Sequence, residues 1–342
     1  MLYKGLSLIL FLLLLSCKSA ISTGPDSSPT SEFTIAFGSC NKVDLHNALW
    51  DDVLTAKPDV WIWGGDNIYA DTDNLEAIAS MYAEQKEVAG YQRLRSEIPV
   101  IGTWDDHDYG LNDGGVEWEI KGESQQLFLD FLDVPQSSPL RNRQGIYAAH
   151  EYARPEGVIK VFVLDTRYFR TGLTQDPSGQ KRYLPNRPGE GTILGKQQWK
   201  WLEEELKESK ADFNILVSSI QFLSDQHGFE TWGNFPDEVA RLKRLVVDSG
   251  ASGVIILSGD RHISEFSSIG LDGLSYPLVD FTSSGLTHVY SDYSGEPNPY
   301  RLGEVISEES FGLVKLSLGS KQVVFEIVGD EGKILARREQ QY

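Results

Sequence analysis

The chain has 342 residues, of which 40% are hydrophobic and 11% aromatic, a balance that supports a buried core and excludes a largely disordered chain. A formal net charge of −19 argues against a nucleic-acid scaffold as partner, because duplex binding needs a basic surface to displace condensed counterions. An anionic substrate would need local positive charge, from bound cations or a few arginines inside a cleft.

At the start, Met1 to Lys4 leads into an apolar run over residues 6–15, too short to span a bilayer, which reads as a signal peptide over residues 1–16. The run ends Leu14-Leu15-Ser16-Cys17, either a lipobox whose Cys17 carries lipid or an ordinary signal peptide with an incidental cysteine. Residues 17–32 are rich in Ser, Thr, Pro and Gly and suit a flexible tether, which places the folded domain over residues 33–342. The expectation is an exported protein anchored to the bacterial cell envelope through Cys17. Cys40 is the only other cysteine, so with Cys17 acylated it has no disulfide partner and needs burial or a metal.

Short apolar runs at 34–37, 60–63, 100–103, 158–164, 214–218 and 254–257, most bounded by Gly, Pro, Asp or Asn, predict buried strands. Helical patterns at 45–54, 75–89, 125–132, 195–206 and 237–247 alternate with them, so part of the sheet should be parallel. Beyond Ser258, runs at 263–269, 278–282, 312–318 and 322–328 follow without helices and suggest a second, mostly antiparallel sheet, with Gly319-Ser320 as a two-residue hairpin turn. The resulting fold class is α/β, a layered αββα sandwich of two mixed sheets flanked by helices; patterning alone also accommodates three layers.

The chemistry-bearing residues fall where strands stop, at loops that a rigid frame positions. Phe37-Gly38-Ser39-Cys40-Asn41 could aim a thiolate into a cleft. Gly65-Asp66-Asn67-Ile68-Tyr69 sets a carboxylate able to bridge two cations beside a phenol suited to ferric iron, unless Asp66 only caps a helix. Trp104-Asp105-Asp106-His107-Asp108, with Asn112 and Asp113 just beyond, packs acids around one histidine, which cations or arginines must neutralise. Gly259-Asp260-Arg261-His262 spaces two further donors by two, and Leu164-Asp165-Thr166-Arg167 ends a strand with a guanidinium that either meets phosphate or pairs with Asp165.

In order, these five motifs resemble the signature of PhoD-like alkaline phosphatases, and with Leu194 to Leu202 the resemblance covers essentially everything after the tether. The resemblance implies a metal centre of ferric iron and calcium in which Asp66 bridges, Cys40 and Tyr69 join the iron site, and Asp260 and His262 replace the histidine pair of the wider metallophosphoesterases. Asn112 looks like the calcium-side asparagine while Asp106 stands where the superfamily has an asparagine ligand, so the second-metal ligand stays open between them. His107 matches a histidine near the leaving group and Arg167 a phosphate-contacting arginine. The chain departs from the pattern in showing neither a twin-arginine signal nor a separate β-domain ahead of Gly38, which leaves substrate preference open.

The implied reaction is hydrolysis of phosphate mono- or diesters by metal-activated hydroxide, with no phosphoenzyme. The alternative is a non-catalytic surface lipoprotein that binds a phosphorylated ligand.

Overall fold

The computed structural model of the protein describes residues 32–342. The signal peptide, Cys17 and nearly all of the expected tether lie outside the described residues. Only Glu32 overlaps, and it already belongs to the first strand.

One six-stranded sheet runs in the order β14-β13-β12-β1-β2-β3 and a second in the order β10-β11-β9-β8-β5-β4. In the first, β1 (Glu32–Gly38), β2 (Val60–Gly64) and β3 (Val100–Thr103) are parallel. Beside β1, the strands β12 (Phe311–Ser317), β13 (Gln322–Val328) and β14 (Ile334–Gln341) continue antiparallel. In the second, β5 (Gly157–Val163), β8 (Phe213–Val217), β9 (Val254–Ser258) and β11 (Leu278–Ser283) are parallel, with β4 (Ala148–Arg154) and β10 (Ser264–Ile269) antiparallel at the edges. A two-residue ribbon of β6 (Thr174–Gln175) and β7 (Tyr183–Leu184) stands apart.

The strand residues alternate between two hydrophobic clusters, as the period of two in a strand requires. Ile215, Val217, Ile255 and Leu257 face the first sheet, whereas Leu216 and Ile256 face α6 (Gly195–Glu208) and α7 (Pro236–Asp248) through Trp199, Leu202, Leu242 and Leu245. The sheets meet where Phe37 of β1 stands edge-on to Phe281 of β11, ring centres 4.9 Å apart. Outside the first sheet, Trp61 and Trp63 pack on Trp50 of α1 (Trp50–Ala56), with α2 (Leu75–Glu87), α3 (Ala89–Glu97) and α5 (Lys121–Phe131) covering the rest of that face. The expected four-layer αββα sandwich of two mixed sheets is the fold observed.

Three local expectations need correction. The strands after Ser258 do not build a sheet of their own: β10 and β11 extend the second sheet while β12 to β14 extend the first, because the open edges of β9 and β1 still had backbone groups to pair. The first helix begins at Trp50, since the Asn47 side chain accepts from the Leu49 N–H (2.9 Å) and the residues before it form a turn. The β12–β13 hairpin pairs Ser317 with Gln322, so four residues turn, and the positive φ falls on Lys321 (59°) rather than on Gly319.

Candidate metal centre

The parallel strands of both sheets aim their ends at one place, where β1, β2, β3 and β9 deliver the four acidic or thiol-bearing segments. Cys40, Asp66, Asp260 and His262 all take positive φ (59°, 51°, 69° and 57°). Such backbone costs roughly 1–3 kcal/mol per non-glycine residue and persists where the surroundings impose it, typically at functional sites. Here the surroundings are explicit. The Asn41 N–H donates to the Asp66 carbonyl (2.9 Å), and the Thr287 and His288 N–H groups donate to the Cys40 carbonyl (3.2 Å each). A Cβ on Gly259 would stand 2.6 Å from Ser39 Oγ and 2.7 Å from the Gly64 carbonyl, so only glycine lets the β9 loop come this close.

Cys40 is wholly buried, its Sγ 3.3 Å from Asp66 Oδ2 and 3.0 Å from Ser284 Oγ. The Tyr69 hydroxyl donates to the same Asp66 oxygen at 3.3 Å, and residues 66–69 form a bend and not a helical turn. Asp66 caps no helix. Potential donor atoms fall within 4.8 Å of one another in three groups: Cys40, Asp66 and His262; Asp66, Asp106 and His107; and Asp105, Asp106 and Asp260. Asp66 thus belongs to two groups and Asp106 to two. Asp260 sits with Asp105 and Asp106, apart from the group of its near neighbour His262.

The other expected residues occupy defined places. His107, on the short helix α4 (Asp106–Tyr109), hydrogen-bonds through Nδ1 to Asp71 (2.7 Å) and stacks 4.2 Å from the Tyr69 ring. The Asn112 amide donates to Asp106 Oδ2 at 2.9 Å, beside the Asp113 N–H at 2.6 Å. Arg167 does not reach the cleft: it is fully buried, ion-paired to Asp105 and Glu230, and its Nη2 has no partner. Arg170 approaches the other Glu230 oxygen at 2.9 Å. Asp108 is structural, accepting from the Asp105 N–H (2.6 Å) and from the Asn67 amide (2.5 Å).

Sequence reasoning passed over Asp105, Glu230, Asp71, Ser284 and His288. The His288 ring stands 4.0 Å from that of His262 and 5.2 Å from that of Tyr69. A cleft of about 470 Å³ opens above, lined among others by Asp106, His107, Asn112, Asp260, His262 and His288.

The electrostatics show that the site fits cations. Burial pushes the Cys40 thiol up to about 11, raises Asp66 and Asp260 far above the usual carboxylate range, and lowers His262 to about 3. Burial also raises Asp105, though Arg167 limits its value to about 7. Asp106 alone is held well below the ordinary value; burial opposes this but Arg167, His107 and the Asp113 N–H outweigh it. Asp66 Oδ1 and Asp105 Oδ2 are buried with no hydrogen-bond partner. Buried acceptors left unpaired beside a thiol, a phenol and an uncharged imidazole are the donor chemistry that a pair of cations satisfies.

Residues 35–290 match the family described as PhoD-like phosphatase. The chain belongs to the PhoD-like phosphatase family. An alkaline phosphatase D of Bacillus subtilis (strain 168) is 25% identical to this family member over 286 residues, 70% of this chain and 48% of the relative, so the aligned stretch spans about half that relative's length. A solved structure of PhoD superposes with a TM-score of 0.71 at 18% identity, covering 91% of this chain and 68% of the other. GAP50, the anchor in the inner membrane complex of Plasmodium, shares the fold at a TM-score of 0.59 and 13% identity over 91% of this chain and 89% of its own. So does a dimetal phosphatase from Danio rerio, at 0.55 and 12% over 91% and 99%.

Proposed function

We propose that this PhoD-like protein is a metal-dependent phosphoric ester hydrolase acting on mono- and diesters. The observation that carries the reading is Asp66, a buried carboxylate shared by two donor groups with one oxygen left unpaired, as a residue bridging two cations would be. Cys40, Tyr69 and His262 would hold ferric iron on one side, the phenolate and thiolate being anionic donors. Asp106, Asn112 and Asp260 would hold calcium on the other, where the donors are oxygens. Cations bound there would supply positive charge against the phosphoryl oxygens and raise the acidity of an attacking water.

The chain's own residues do the rest. Asp71 fixes the His107 ring through Nδ1, leaving Nε2 to hold a proton for the leaving oxygen. Burial alone would lower His107, but Asp66, Asp71 and Asp106 overcome it and push the ring up to about 10 in the metal-free chain. Arg167 works through Asp105, whose free oxygen it orients among the donors. We further propose export and anchoring to the cell envelope through Cys17, a reading that rests on the leader and lipobox pattern alone.

The test is metal analysis of the purified protein beside hydrolysis of 4-nitrophenyl phosphate and its bis ester, with and without calcium. Near-stoichiometric iron and calcium-dependent turnover that vanishes in Asp66→Ala support the reading. A protein that takes up no metal on reconstitution and turns over neither ester ends it.

A further inference from the structure

Few large apolar side chains among the described residues stand in solvent, and two of them, Phe229 and Tyr290, line the cleft above the candidate metal centre. They are 39% and 38% exposed. Isolated exposed apolar groups are ordinary on a protein surface, but two aromatic rings in the wall of one cleft are not scattered singly.

Both residues are anchored through their backbone. The Tyr290 N–H donates to the carbonyl of His262 (2.8 Å), so its backbone is tied directly to a candidate metal ligand. The Phe229 N–H donates to His227 Nδ1 (3.1 Å), and the Arg261 guanidinium packs 4.4 Å from the Phe229 ring centre without covering it. Pre-set rings of this kind lose little freedom when a flat partner arrives.

The charges around them are already satisfied. Arg261 donates to both oxygens of Glu296 at 2.8 Å, Arg182 pairs with Asp113, and Glu230 is locked between Arg167 and Arg170. Each guanidinium of this wall thus already has a carboxylate partner, although Arg261 Nε is buried without an acceptor. What it offers is aromatic surface at an electrically balanced rim, beside a floor built for a phosphoryl group.

We propose that the cleft selects phosphate esters whose leaving group carries a flat aromatic ring, seated against Phe229 and Tyr290. The inference rests on the hydrolase reading and narrows its substrate class: a ring of aryl, arylalkyl or nucleobase type, and not a polyol or a polyphosphate. A cleft of about 470 Å³ lies within the range that small-molecule sites occupy.

The experiment compares esters that differ in flatness while leaving as alkoxides of similar basicity. Benzyl phosphate is set against cyclohexylmethyl phosphate, and adenosine 5′-phosphate against ribose 5-phosphate, on the metal-loaded protein, together with the methyl diesters of the first pair. The expected result is a preference of about tenfold or more in kcat/KM for the flat member, carried mainly by KM. In the double variant Phe229→Ala/Tyr290→Ala the preference falls below about threefold.

Binding of benzylphosphonate and cyclohexylmethylphosphonate, read by calorimetry, separates this inference from the hydrolase reading. Turnover of all esters with no ring preference, or a preference that survives the double variant, overturns the inference and leaves the hydrolase standing. Ring-selective phosphonate binding without turnover of any ester supports the aromatic site and overturns the hydrolase. Equal binding of both phosphonates overturns the inference whatever the turnover.

Discussion

The two halves of the metal centre solve the problem of buried charge differently. Around Asp105 and Asp106, the protein supplies its own cations: Arg167 and Arg170 sit wholly buried against Asp105 and Glu230, and Asp106 stays ionised as a result. Around Cys40, Asp66, Tyr69 and His262 no buried arginine is paired to the donors, only His107 opposes the shift of Asp66, and burial drives each group toward its uncharged form. The first half is largely neutralised as folded, although Asp105 keeps one buried oxygen without a partner. Under the proposed metal reading the second would be finished by positive charge from outside, so catalytic potential and apparent stability would be coupled more tightly there than in the other half.

The strongest way to break that comparison is Asp66→Asn. It should lower turnover by a factor of about a thousand or more, because the shared carboxylate serves both cations, with kcat/KM and metal content as the readouts. The same variant should be at least as stable as the parent once both are stripped of metal. Burial raises the folded-state pKa of Asp66, so the parent keeps that contribution only below the unfolded value of about 3.9 and loses it as pH rises. Thermal melts of the chelated pair across pH 5 to 8 should show the gap widening with pH, and a metal-free Asp66→Asn protein that melts well below the parent would contradict the scheme.

Arg167→Met tests the self-neutralised half. Removing one member of a buried ion network leaves Asp105 without its cation and Glu230 with Arg170 alone, and a loss of about 3–5 kcal/mol is expected in denaturant unfolding. The loss should be similar with and without metal. A loss that metal restores in full would mean that the two halves are not separable.

Smaller effects sharpen the boundary. His227 lies beneath the Phe229 rim with Nε2 buried and unpaired, and burial together with Arg261 depresses it to about 3. A depressed histidine contributes stability above its unfolded value of about 6.5 and loses it as pH falls toward the folded value. By pH 5 that amounts to about 2 kcal/mol, and His227→Gln should flatten the acid limb of the stability curve without moving metal content. Smallest is Asn74→Ala, remote from both halves. Asn74 Oδ1 accepts from the Glu76 and Ala77 N–H groups at the start of α2, and its loss should cost about 1 kcal/mol with activity unchanged.

How much of this the sequence disclosed follows from how local each signal is. The strands ending at Cys40, Asp66, Asp106 and Asp260 are short apolar runs with abrupt polar stops, and both pattern and chemistry lie within ten residues. Edge strand β4 was missed because only alternate residues are even half-buried, and β14 because its residues are mostly polar. Helix α3 was missed because Gly90 interrupts the pattern, although Tyr91 and Leu94 keep the helical spacing. Glu230 could not be found: its partners Arg167 and Arg170 are distant in sequence, and a carboxylate in a loop gives no sign of which arginine it will meet. His288 is tied in by its backbone bond to Cys40 at the far end of the chain and by its ring against those of His262 and Tyr69, contacts that its own neighbours in sequence do not announce. Arg167 shows the reverse case, a residue picked out correctly by its position at a strand end but occupied with balancing charge.

The placement of the donors has one more consequence. Cys40 leaves β1 in one sheet, His262 follows β9 in the other, and the loop bearing His288 folds back to hold the Cys40 carbonyl. The donor group of Cys40, Asp66 and His262 is therefore split between the two sheets, whereas Asp66, Asp106 and His107 all follow strands of the first. Under the proposed metal reading, uptake would report assembly in two stages: the first sheet alone would offer the Asp66, Asp106 and His107 donors, and the group that includes Cys40 and His262 would exist only once both sheets have docked.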